Sequence, residues 1–218
     1  MSFVAACAQF APSKADVPSN LDRIAEIAIQ ASAEGADLVV FSETAVSGYF
    51  LEGGVFESAQ SPETLRAELS SRIGGLTKPV DLLIGHYEKA DTGLYNAATY
   101  LQVGVEGASI VGSYRKFFLP TYGVFDEERY VARGSEIGLV KSRLGTFGIL
   151  ICEDAWHSIL PTLCAVGGAT ALLVPSASPG RGFSGDLPDN LDRYRRLLRG
   201  LAEEHGVYCL NAMLCGFE

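Results

Sequence analysis

Histidine is scarce in this chain of 218 residues, with three in all, and none of the five cysteines is spaced as C-x-x-C. Zinc chemistry is thereby left without a ligand set. Cys152, Glu153, Asp154 and His157 are close in sequence, but no second cysteine or histidine cluster supplies the remaining positions. No apolar run reaches the roughly 20 residues a membrane-spanning helix needs. The N-terminus, MSFVAACAQF, lacks a basic region ahead of a longer apolar stretch. Basic excess is missing too: 17 Lys+Arg against 26 Asp+Glu give a formal charge of −9, which argues against non-specific binding of nucleic acid or anionic lipid. An odd number of cysteines, mostly inside apolar runs, argues against a disulfide framework. The expectation is a soluble, unexported protein of the reducing cytoplasm, with no nucleic-acid or membrane partner.

What the chain does have is apolar substance. A hydrophobic fraction of 48% with 20% charged residues suits one domain of ordinary-to-large size with a sizeable core. FVAACAQF (3–10) reads as a buried strand stopped by Pro12. A helix follows, capped by Asn20, with Leu21, Ile24, Ile27, Ala28 and Ala31 at helical spacing up to Gly35. DLVVFS (37–42) has the continuous apolar character of a strand buried on both faces. After a glycine-containing loop, Pro62 opens a helix to about Gly74. Three strands, Asp81–Tyr87, Ala97–Val103 and Ala108–Tyr114, are separated by turn signals and predict an antiparallel meander. Gly138–Lys141 and Leu144–Ile151 read as a hairpin. Then come a helix at 158–166, a strand at 171–174, a Gly/Pro/Ser loop at 175–188, a helix at 190–204 and a strand at 207–212. The sum is one α/β domain with helices on the outer faces of its sheets.

Three residues at strand exits could carry chemistry. Cys152 ends the apolar run GTFGILIC, ahead of a predicted helix whose N-terminal charge would favour thiolate; a cysteine there is also an ordinary inert core residue. Glu43 directly follows DLVVFS, where partial desolvation would raise a carboxyl toward a useful general base; a loop carboxylate capping nearby amides reads equally well. Lys116, in YRKFFLP, is either a snorkelling surface residue or a fixed cation for an oxyanion. His157 is close enough in sequence to Cys152 to be its base, His86 reads as a satisfied buried residue, and His205 reads as a surface or helix-end residue. Gly180–Gly185 matches G-x-G-x-x-G, but Pro175, Pro179 and Pro188 deny it the strand-turn-helix setting of a dinucleotide site; a loop over the active site fits better.

Taken together, FSETAVSGY with Glu43, YRKFFLPTYGVFDEERY with Lys116 and LICEDAW with Cys152 resemble the Glu-Lys-Cys motifs of the nitrilase superfamily of carbon-nitrogen hydrolases, in order, context and separation. LYNAATYL and LLVPSASP match further family features, so the resemblance covers essentially the whole chain. It implies a four-layer α-β-β-α sandwich, usually dimeric, with no metal and no organic cofactor. Glu43 would be the general base, Cys152 the nucleophile, and Lys116 with the backbone N–H of Glu153 the oxyanion holders. A second site glutamate falls at Glu127, with Glu128 the alternative. FFLPTYGVFDEERY is most similar to the glutaminase domain of glutamine-dependent NAD synthetases and shares parts with bacterial amidases. By that likeness Tyr49 and Tyr122, and the loop near Ser176, Ser178 and Phe183, would contact substrate. The synthetase module's nucleotide-binding signature is absent from the sequence, which favours a free-standing amidase; nitriles, N-carbamoyl compounds and glutamine are the other substrate classes. A catalytically silent binding or assembly protein is the rival, against which stands the presence of all three motif residues. Members ordinarily continue past the strand matching Val207–Ala212, whereas this sequence stops at Gly216-Phe217-Glu218. The expectation is therefore a single domain, 1–218, lacking its last strands or receiving them from a partner.

Overall fold

Two sheets lie face to face, and the apolar runs of the sequence supply their central strands. The computed structural model describes residues 2–49, 51–180, 182–184 and 187–216. The first half runs β1 (Ala5–Ala8), α1 (Val17–Ala33), β2 (Leu38–Phe41), a 3-10 turn at Glu52–Gly54, α2 (Val55–Ser58), α3 (Pro62–Arg72), β3 (Val80–Ala90), β4 (Gly93–Gly104) and β5 (Gly107–Arg115). These strands form one sheet in the order β1-β2-β3-β4-β5, parallel through β3 and antiparallel beyond it. The second half runs β6 (Leu139–Ser142), β7 (Gly145–Ile149), α4 (Ile159–Val166), β8 (Ala171–Ser176), β9 (Phe183–Ser184), β10 (Leu187–Pro188), α5 (Asp189–His205) and β11 (Tyr208–Met213). Its sheet has the order β11-β8-β7-β6, with the hairpin β6/β7 antiparallel and the rest parallel; β9 and β10 pair separately.

The layering follows from side-chain alternation. In β2, Leu38 and Val40 point into the core between the sheets with Tyr100, Phe147 and Leu173, while Val39 and Phe41 point outward to α1 and α3. Every residue of β2 is buried, which is why its sequence reads as an unbroken apolar run rather than an alternating one. On the far side, Leu172 and Val174 of β8 pack with Leu160 of α4 and Leu201 of α5. Three apolar seams thus separate four layers in the order α-β-β-α, as the resemblance implies. Among the described residues no helix is long and apolar enough to cross a membrane.

Two local expectations need correction. Asp16, not Asn20, caps α1, accepting the Ser19 N–H at 3.2 Å; Pro18 suits the first turn, and the helix begins at Val17, a turn early. Asn20 lies inside the helix, buried, and its Nδ2 donates to the carbonyls of Ser13 (2.7 Å) and Val46 (3.0 Å), tying α1 to the chain beyond β2. The meander strands also run longer than the apolar runs, because β3 and β4 keep pairing through Glu88–Tyr95 and Lys89–Leu94 down to the turn.

Candidate active site

Glu43 lies two residues past β2, Lys116 directly past β5, and Cys152 three residues past β7, opening a 3-10 turn at Cys152–Trp156. Glu43 and Lys116 are fully buried. A lysine without water requires compensation of its charge, and Lys116 has two carboxylates for it: its Nζ is 2.7 Å from Glu43 Oε1 and 2.8 Å from Glu127 Oε2. Asn96 of β4 donates from Nδ2 to the same two groups, at 2.8 Å to Glu43 and 2.7 Å to Glu127. The Ala177 N–H, just past β8, donates to Glu43 Oε2 at 2.8 Å. Glu127 comes from a 3-10 turn, Glu127–Arg129. Glu128, its neighbour, is directed away and pairs with Arg133.

The electrostatics follow from burial and these partners. Burial opposes the charge on Lys116, but Glu127 and Glu43 more than offset it, so the ammonium holds its proton more tightly than an ordinary lysine. Burial pushes the Glu127 carboxyl up, against the pull of Lys116. The Cys152 thiol is also pushed up, first by burial and then by Glu43, with Lys116 pulling the other way. The predicted helix effect on this thiol is not what the structure gives: five residues of 3-10 turn follow Cys152, and α4 begins only at Ile159. Burial thus favours the protonated, neutral form of the Cys152 thiol.

The backbone is strained where these groups emerge. Cys152 has φ +49° and Thr44, next to Glu43, has φ +46°; Ala15 is the other described non-glycine residue with positive φ. Close packing maintains the turn after β2. A Cβ on Gly85 of β3 would collide with the Ser42 carbonyl and lie 2.6 Å from the Thr44 nitrogen, so glycine there lets the Glu43 turn settle onto the neighbouring strand.

Asp154, fully buried, joins the Cys152 turn to the chain around Lys116. Its Oδ1 accepts the N–H groups of Phe117 (3.2 Å) and Phe118 (2.8 Å), and its Oδ2 accepts the Ile151 N–H (3.1 Å) and the Tyr114 hydroxyl (3.0 Å). Burial raises its pKa to about 7 in spite of these donors and of Lys116.

Above the cluster is a cavity of about 660 Å³ to which Cys152, Glu153, Tyr49, Tyr122, Ser178 and Tyr194 contribute. The Tyr194 hydroxyl, on α5, is 3.2 Å from Cys152 Sγ. The Tyr122 hydroxyl donates to Glu153 Oε2 at 2.8 Å. Tyr49 is buried with its ring centroid 5.6 Å from Lys116 Nζ. Arg193 reaches the cavity with its guanidinium 5.3 Å from the Trp156 ring.

Of the two serines named from the sequence, only Ser178 lines this cavity. Ser176, the last residue of β8, is buried and accepts the Asn211 Nδ2 of β11 at 3.0 Å. The side chain of Phe183, and Arg181 and Gly185 of the glycine pattern, lie outside the described residues; Gly182 is at the cavity. His157 stacks on Phe118 and faces Glu153 at 3.4 Å. His86 is buried against Thr99 at 2.8 Å, and the His205 side chain is largely buried rather than on the surface. Among the described residues no three His, Cys, Asp or Glu side chains are arranged to hold a metal ion.

Sequence reasoning missed Asn96, present only as part of LYNAATYL, and Asp154, weighed only as a zinc ligand. Both act through partners distant in sequence, which one-dimensional spacing does not reveal.

A mixed α/β sandwich with this cluster at its strand exits defines a class of hydrolase. The chain belongs to the carbon-nitrogen hydrolase family, whose profile matches residues 4–217. It is 34% identical over 186 residues to the glutamine-dependent NAD(+) synthetase of Acinetobacter baylyi, covering 82% of this chain and 32% of that protein. The same enzyme of Thermotoga maritima is 34% identical over 179 residues, covering 79% and 29%. The chain therefore spans about a third of the length of these curated relatives. Among solved structures, the glutamine-dependent NAD+ synthetase of Acinetobacter baumannii superposes with a TM-score of 0.81 at 28% identity, over 97% of this chain and 38% of that one. A carbon-nitrogen hydrolase of Helicobacter pylori G27 shares the fold, with a TM-score of 0.82 at 24% identity over 99% and 75%.

Proposed function

We propose that the protein hydrolyses the carbon-nitrogen bond of a small amide through a covalent thioester on Cys152. The observation that carries the reading is the sharing of one buried lysine by two buried carboxylates beside a strained cysteine. Glu43 Oε1 is occupied by Lys116 and Asn96, while Oε2 receives, among the described residues, only Ala177 N–H and keeps a lone pair for a proton. A neutral thiol needs such a base. In the first half-reaction the Cys152 proton passes to Glu43 and the sulfur attacks the amide carbon. The resulting oxyanion is held by Lys116 Nζ, which has a third N–H beyond its two carboxylate partners, and by the Glu153 backbone N–H. Collapse breaks the C–N bond, and the leaving amine or ammonia takes the proton back from Glu43. Water then gives a proton to Glu43, its oxygen attacks the thioester, and the acid leaves as the thiol is restored. Glu127 fixes Lys116 from the other side.

The finer substrate reading is the ω-amide of an amino acid, glutamine being the simplest. In its favour, the cavity over Cys152 offers a guanidinium, Arg193, for a carboxylate, and an acid, Glu153, for an amino group. The relatives' dependence on glutamine points the same way. A homodimer is the accompanying assembly: α4 exposes Ile159, Leu163 and Val166 along one face, an apolar stripe that a second copy would cover.

The test is ammonia release from glutamine, short aliphatic amides, ω-amidodicarboxylates, N-carbamoyl amino acids and nitriles, with wild type beside Cys152→Ala. Release that disappears in the variant supports the reading and names the substrate class. No release from any of them by folded wild-type protein, with Cys152 inert toward iodoacetamide, contradicts it in favour of a silent member of the fold.

A further inference from the structure

We propose that Asp154 is a positioning residue, whose single carboxylate fixes the Cys152 turn against the chain segment that carries Lys116. The inference rests on the reading of Cys152 and Lys116 as nucleophile and oxyanion-holding cation.

Those two residues come from different sheets: Lys116 leaves β5 of the first, and Cys152 follows β7 of the second. Between the sheets the core is apolar, and apolar contact is non-directional; of the polar bonds that cross, Arg143–Asp81 lies away from the site and Ala177 N–H reaches Glu43 rather than Lys116 or the Cys152 turn. Reaction requires reacting atoms held to a fraction of an ångström, and directional bonds must supply that. Asp154 is where they converge. Ile151, one of its donors, immediately precedes Cys152; Phe117, another, immediately follows Lys116; Tyr114 stands two residues before it. One carboxylate therefore bonds chain adjacent to both groups.

Four donors match the roughly four lone-pair positions of a carboxylate in its ionised form, the form that these donors and Lys116 favour against the opposing push of burial. Asparagine has the same shape, but its amide nitrogen would meet either the Ile151 N–H or the Phe117 and Phe118 N–H groups, donor against donor. The bonds are sheltered from water by complete burial. The turn they close is also strained: Cys152 sits at φ +49°, and the Asp154 N–H returns a bond to the Ile151 carbonyl at 3.0 Å. A non-glycine residue stays in that conformation only when its surroundings over-determine it.

The experiment compares wild type, Asp154→Asn, Tyr114→Phe and Cys152→Ala, each checked for folding by circular dichroism. Two quantities are measured: kcat and KM for ammonia release per folded molecule, and the rate of Cys152 alkylation by iodoacetamide at pH 8. Folded Asp154→Asn is expected to lose about a hundredfold in kcat with KM within threefold. Its Cys152 should alkylate at least threefold more slowly, since the thiol drifts from the lysine that eases its ionisation. Tyr114→Phe, retaining three of the four bonds, should lose several-fold in kcat alone. A purely structural Asp154 would leave kcat per folded molecule and alkylation unchanged, and that result overturns the proposal. Should Asp154→Asn not fold, an unchanged kcat in Tyr114→Phe overturns it. Full activity in Cys152→Ala would instead sink the nucleophile reading, a separate outcome visible in the same set.

Discussion

Lys116 and Glu43 form an ion pair in which both side chains are completely withdrawn from water, with Nζ 2.7 Å from Oε1. Breaking such a pair from one side leaves a buried charge uncompensated, at a cost of about 3–5 kcal/mol. Lys116→Met is therefore expected to destabilise the fold by that order in urea titration and to abolish turnover. Glu43→Gln/Lys116→Met should recover part of the stability and none of the activity. A double variant no more stable than Lys116→Met would show that the pair's charges are not coupled.

The raised thiol of Cys152 has a thermodynamic signature. An acid whose pKa is higher folded than unfolded contributes stability below its unfolded pKa, and that contribution fades as pH rises toward the folded value. Wild type should therefore lose stability relative to Cys152→Ala as pH climbs from 8 to 10, measured by denaturant midpoints. A difference that stays flat across that window would mean the thiol titrates normally.

Gly85→Ala tests the close approach of β3 to the turn bearing Glu43. The new methyl meets the Ser42 carbonyl, and relief requires moving the strand exit. A loss of about 1–3 kcal/mol in stability and on the order of 10²-fold in kcat is expected. Activity within twofold of wild type would remove the packing argument.

Arg193→Ala separates the substrate readings. A guanidinium-carboxylate bond contributes about 1.5–3 kcal/mol, so KM for glutamine should rise by about tenfold or more while KM for an uncharged aliphatic amide stays put. Equal changes for both substrates would exclude Arg193 as a carboxylate anchor.

How much of this was legible in the sequence depends on the range over which each residue acts. The strands were readable because burial on both faces leaves unbroken apolar runs, as in β2. Glu43, Lys116 and Cys152 stand out because reactive side chains follow those runs directly. Asn96 reaches Glu43 across 53 positions within the first sheet and Asp154 reaches Phe117 across 37 between the two sheets; only the tertiary fold gives them partners. Ser176 and Ser178 are indistinguishable in a loop-like sequence, yet β8 continues through Ser176 and keeps its hydroxyl in the sheet, against Asn211. The thiol's direction of shift was misread because a helix N-terminus was expected where a short 3-10 turn forms, and burial then decides.

The most direct test of the central claim is intact-mass spectrometry of rapidly quenched reactions with the best amide from the panel. A covalent thioester on Cys152 predicts a transient species heavier than the protein by the acyl group less one hydrogen, mapped by proteolysis to the peptide containing Cys152 and absent from Cys152→Ala. A first turnover that releases ammonia with no acyl adduct at Cys152, while the Cys152→Ala variant still turns over, would contradict the account.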